Sequence, residues 1–152
     1  MRLWIENSEN SELLKKYGLA MAYINQVDYI LGNFIDNQER KNKQFKKTCQ
    51  GQALGQKLYN NKKLLKQKFS NKNLYKKLEL LNKKRKIIAH HGFTKVYSEM
   101  GTEKEQISDA IIKDDGKKFF IKDANNLKDL LEKTIKLGKK ILPLIYEELK
   151  KI

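Results

Sequence analysis

Residues 82–93 read NKKRKIIAHHGF and gather the side chains best suited to chemistry. The stretch holds both histidines of the chain, His90 and His91, and one of its three arginines, Arg85. The others are Arg2 and Arg40, in a chain that otherwise uses lysine. A guanidinium keeps its charge, so burying it unpaired is expensive. It can hold a phosphate at two points at once, which lysine cannot. Histidine exchanges protons near working pH. The flanking Lys83, Lys84 and Lys86 disfavour a charged imidazole and so favour a neutral base.

Arginine and histidine suffice for one reaction without a metal or cofactor. The histidine takes the proton of a ribose 2′-hydroxyl or gives one to the leaving 5′-oxygen. The arginine stabilises charge on the phosphorane-like transition state. A 2′,3′-cyclic phosphate and a 5′-hydroxyl result, and DNA is spared. Residues five apart on an ideal helix point about 140° from each other. Arg85 and His90 therefore share a face only if the helix loosens before Gly92, or if two chains meet and complete each other's site. The other reading of the same residues is structural. The histidines would favour a helix C-terminus, and Arg85 would pair with Glu12 or Glu79.

The elements that must position these residues follow from periodicity. Leu13, Tyr17, Ala20, Ile24, Val27, Leu31 and Phe34 recur at alternating four- and three-residue spacing, which predicts a helix over 12–38 with Ser11 as its N-cap. Leu54, Leu58, Leu65 and Phe69 mark a weaker helix over 52–68. SNKN at 70–73 is a capped turn. A third helix from about Asn73 carries Leu74, Leu78, Leu81, Arg85 and Ile88, so Arg85 takes a position that calls for an apolar residue. Gly92 would end it. DAIIKDDGKKFFIKD reads as a hairpin with its turn at Asp114-Asp115-Gly116. Asp123 caps a last helix with Leu127, Leu131, Thr134, Gly138, Ile141, Ile145 and Leu149 on one face and a kink expected at Pro143. The fold expected is mostly α: an up-and-down bundle of about four helices with a small β-hairpin before the last, in one domain over 1–152.

Composition bounds the function. With 39% hydrophobic and 34% charged residues the chain is of soluble, folded type. A formal net charge of +15 favours a polyanionic partner such as RNA, DNA or an anionic membrane surface. Abundant Lys and Asn with few Arg and Pro also follow from an AT-rich genome, but that explains less well why lysine so outnumbers glutamate. One cysteine, Cys49, rules out an internal disulfide and makes a reducing, cytoplasmic setting the default. No Cys/His set has metal-ligand spacing, and no signal peptide or membrane span is read. Phe45, Tyr59, Phe69 and Tyr75 lie among basic residues, where aromatics can stack on single-stranded nucleic acid but more often form core. Phe119 and Phe120 alternate on the hairpin, one ring inward and one outward.

The run RKIIAHHG on a late helix resembles the HEPN superfamily, whose signature is an arginine, four to six residues, then a histidine. Arg85 matches the arginine, and His90, preceded by Ala89, matches the histidine at four intervening residues. His91 fits at five. The resemblance implies a metal-independent endoribonuclease of toxin or antiviral systems, with Arg85 and His90 catalytic; His91, Lys86 and Lys84 are read as supporting residues. It also implies RNA as substrate, a homodimer in which two motifs form one cleft, and an antitoxin or regulatory protein as possible partner. Lys86 stands where the family often has Asn, Asp or His. Gly92 stands where the class paired with nucleotidyltransferase antitoxins has tyrosine. The rival expectation is a non-catalytic HEPN-like module that binds nucleic acid or a protein through its basic surface.

Overall fold

Apolar side chains at alternating four- and three-residue intervals form one face of a helix, and that pattern builds most of this molecule. A computed structural model describes the backbone of residues 3–7, 11–41, 52–89, 93–98, 106–114, 119–122 and 124–151, and the side chains of 11–38, 52–88 and 128–151. The described residues are mostly helical and include a helical bundle. In chain order they form β1 (Leu3–Asn7), α1 (Ser11–Lys41), α2 (Leu54–Asn60), α3 (Lys62–Lys68), α4 (Leu74–Ala89), β2 (Phe93–Ser98), β3 (Gln106–Asp114), β4 (Phe119–Lys122) and α5 (Ala124–Lys150).

Helix α1 buries Leu13, Ala20, Ile24, Val27, Leu31 and Phe34 of its expected face, and Ile30 and Ile35 beside them. It starts at Ser11, so this residue is the first of the helix rather than its cap. The helix expected over 52–68 is two helices. Asn61 interrupts it at φ −120°, ψ 18°. Its buried side chain donates to the Lys57 carbonyl at 3.0 Å, a local bond that competes with the helical ladder. In the turn at 70–73, Asn71 Oδ1 accepts from the backbone N–H of Asn73 at 3.0 Å, just before α4 begins. Helix α5 runs unbroken past Pro143, whose ring is exposed.

The expected hairpin strands pair as β3 and β4, but as part of a larger sheet rather than as a small hairpin alone. The described strands form one four-stranded antiparallel sheet in the order β1-β2-β3-β4. Leu3 pairs with Ser98, Phe93 with Ile111, and Ile111 with Lys122. Strand β1 precedes the first apolar stripe and β2 directly follows the histidine segment, where periodicity carries little signal. The expected turn at Asp115 and Gly116 and the expected cap Asp123 lie outside the described residues.

The chain forms two compact units. The first comprises Met1–Met21 and Lys84–Thr134, and therefore the sheet, the start of α1, the end of α4 and the start of α5. The second comprises Ala22–Lys83 and Ile135–Ile152. Each takes two separate stretches of chain, which is why no linker is visible in the sequence. In the second unit the core includes Ile24, Val27, Leu31, Phe34, Leu54, Leu58, Leu65, Phe69, Leu74, Leu78, Leu81, Ile141 and Ile145. Phe34 and Phe69 meet with ring centroids 5.0 Å apart at 42°, a tilted pair worth about 1 kcal/mol beyond its burial.

Candidate functional site

Helix α4 presents the candidate residues. Leu74, Leu78, Leu81 and Ile88 are fully buried along one face. Arg85 falls on that face and is half-buried, so a permanent charge sits at the margin of the core in the last turns of the helix. Lys84 beside it is half-buried and Lys86 exposed. The helix ends at Ala89, immediately before His90 and His91. His90, His91 and Gly92 lie outside the described residues, as does Cys49. Of the expected site residues, the structure thus sets Arg85, Lys84 and Lys86 on one stretch of α4.

Within the first unit a contact reaches this helix end, and two ion pairs join α1 to α5. The Tyr17 hydroxyl of α1 donates to the Ile88 carbonyl at 3.5 Å. A helix leaves its last carbonyls without intrahelical partners, so a hydroxyl in this position steadies the turn that leads into the histidines. Lys16 of α1 pairs with Glu132 of α5 at 3.2 Å, and Lys128 with Glu12 at 3.6 Å. These exposed pairs contribute little stability each, roughly 0–1 kcal/mol. Tyr17 was missed as a site neighbour. Its place on the expected face of α1, as the polar member of an apolar row, is the signal that could have found it.

The second unit separates the aromatic residues of the basic region. Phe69 and Tyr75 are core. Tyr75 donates from its hydroxyl to the Leu58 carbonyl at 2.9 Å, and burial, helped by the charge of Glu79, pushes its phenol up to about 12. Tyr59 is 82% exposed. Phe45 lies outside the described residues.

Buried charges in this unit are each satisfied. Lys57, 5% exposed, reaches from α2 to Asp28 of α1 at 2.7 Å, and to the Asp28 carbonyl at 3.3 Å. Glu148, 4% exposed, accepts from Ser70 Oγ at 2.7 Å, from the Asn71 N–H at 2.8 Å and from the Ser70 N–H at 3.1 Å. Burial alone would raise its pKa. The three hydrogen bonds and the nearby Lys151 outweigh that and hold it below the ordinary glutamate value.

Charge is unevenly placed. Residues 40–86 contain 17 of the 33 lysines and arginines but one of the 18 acids, Glu79, a net +16 against −1 for the rest of the chain. Arg85 and Lys86 close this basic run. Among the described residues no group of three His, Cys, Asp or Glu side chains gathers as a metal site would need, and no helix is long and apolar enough to cross a membrane. No protein-family model, curated protein or solved structure matches this chain.

Proposed function

We propose that the chain is a metal-independent endoribonuclease of HEPN type, acting in toxin or antiviral defence in the cytoplasm. One observation carries the reading: Arg85, a scarce residue here, is half-buried where α4 calls for an apolar side chain, and both histidines of the chain follow that helix directly. A guanidinium can hold the oxygens of a scissile phosphate at two points at once, which lysine cannot.

In the proposed reaction the 2′-oxygen attacks phosphorus and loses its proton to a base, and the bond to the 5′-oxygen breaks as that oxygen gains a proton. His90 serves as the proton-transfer group, with His91 able to take the complementary role. Arg85 binds the non-bridging oxygens as charge builds on them. Lys84 and Lys86 add positive potential for the incoming strand. A homodimer would place two such motifs in one cleft, and a regulatory protein would restrain the activity in the cell.

The test is cleavage of a structured RNA in excess EDTA, comparing wild type with Arg85→Ala and His90→Ala. We expect cyclic-phosphate ends from wild type and a loss of at least 100-fold in each variant, in line with the 10²–10⁴ that a positioned proton-transfer group contributes. The second reading is a non-catalytic module that binds nucleic acid, and the +16 of residues 40–86 favours it. Intact RNA that is nonetheless retarded on a gel by all three proteins would select that reading.

A further inference from the structure

The outer face of α2 and α3 combines lysines with a single bare ring. Leu54, Leu58, Asn61 and Leu65 point inward at helical spacing, and the row continues across the interruption at Asn61. Tyr59, Lys62, Lys63 and Lys66 lie off that row and are all exposed. On α3, at 100° per residue, Lys62, Lys63 and Lys66 fall within about 100° of arc, and Tyr59 lies near the end of α2 just before them. Tyr59 has 82% of its surface in water, so its ring is open to stacking. None of the ion pairs among the described residues involves these lysines, although Lys66 Nζ already lies over the Tyr75 ring, 5.2 Å from its centroid. In the same unit Asp28 is held by Lys57, Glu147 by Lys150, and Glu148 by Ser70 and Asn71.

We infer that this face binds single-stranded nucleic acid, with lysines on successive phosphates and a base stacked on Tyr59. Charge complementarity argues for a polyanion, because the stretch from Arg40 to Leu78 contains no acid at all. The ring argues for unpaired bases, whose faces are open to stacking while those of a duplex are not. An anionic bilayer is a poorer fit. It would require a row of exposed apolar side chains, and Leu54, Leu58 and Leu65 are buried. The site lies wholly in the second unit and does not depend on Arg85 or on any cleavage.

A 20-nucleotide oligo-dT tests it, because it lacks the 2′-hydroxyl and cannot be cut by the proposed reaction. Binding is followed by fluorescence anisotropy between 50 and 200 mM KCl, with circular dichroism confirming that each variant is folded. Tyr59→Ala should weaken binding about tenfold or more, and Tyr59→Phe should retain it, since stacking needs the ring and not the hydroxyl. Lys62→Gln with Lys63→Gln should lower the slope of log Kd against log salt by about 1.4, at 0.7 per phosphate contact on a single strand. Tyr146→Ala, which removes a half-exposed ring beside Glu147 on α5, should change nothing. Wild-type affinity in Tyr59→Ala, or equal losses in Tyr59→Ala and Tyr59→Phe, would overturn the inference. So would poly-glutamate or phosphatidylserine vesicles binding as tightly as the oligonucleotide.

Discussion

Glu148 shows how one side chain can join distant parts of the chain. Its carboxylate takes three hydrogen bonds from the turn before α4, 77 or 78 residues away. The glutamate pKa is held below its ordinary value, so the anion stabilises the fold. That stabilisation is complete above the unfolded glutamate value of about 4.3 and is lost as pH falls through the lower folded value. Glu148→Gln should cost about 2 kcal/mol at pH 7, roughly 4–8 °C in Tm for a chain of this size. Below the unfolded glutamate value of about 4.3 the difference should shrink, because the unfolded chain then takes up a proton that the folded carboxylate resists. A gap of constant size from pH 7 to pH 3 would show that the charge contributes nothing. The apolar row of the sequence pointed to Leu149 in this turn, yet the structure buries Glu148 and leaves Leu149 half-buried. A periodicity count treats a carboxylate as outward-facing. It has no means of seeing the donors that reward its burial.

At the scale of elements, α1 and α5 approach closely within the second unit. A Cβ at Gly138 would lie 2.6 Å from the Tyr23 Cβ. That atom is fixed to the backbone of α1 and cannot swing aside. Alanine is the better helix former by about 1 kcal/mol, but overpacking at such a contact costs about 1–3 kcal/mol. Gly138→Ala should therefore be net destabilising by about 1 kcal/mol. Gly18, exposed on α1, has nothing within 4 Å of its Cβ position. Gly18→Ala should instead stabilise, by up to about 1 kcal/mol. Urea denaturation of the two variants checks both signs, and matching shifts would contradict the packing described. Helix faces were legible in advance because burial and period coincide. Leu54, Leu58, Leu65 and Phe69 all turn inward as their spacing requires. The interruption at Asn61 was not legible, since an asparagine side chain that bonds backwards leaves the apolar period intact.

At the scale of the whole molecule, the proposed reaction has a consequence for concentration. If two chains complete one cleft, the cleavage rate per chain should fall as the protein is diluted through its dimer Kd. Sedimentation measured over the same range would show the dimer dissociating in step. A constant rate per chain across a monomer–dimer transition would mean that one chain suffices. The proposed single-strand surface adds a separate expectation, because binding there should persist in Arg85→Ala and His90→Ala.

Much of this protein is determined by the order of its residues. The long helices follow from apolar periodicity, the basic character from lysine count, and the segment from Arg85 to His91 from residue types alone. Tertiary structure decided other matters. It gathered a four-stranded sheet, including β1 from near the start of the chain, through pairings that no local window contains. It sent Phe69 and Tyr75 into the core while leaving Tyr59 in water, although all three lie among lysines in the sequence. It drew in Lys57 and Glu148 because Asp28 and the Ser70–Asn71 turn were there to meet them. The physical reason is the same in each case. Periodicity records which way a residue faces on its own element, whereas strand pairing and the cost of burying a polar group depend on what the rest of the chain brings against it.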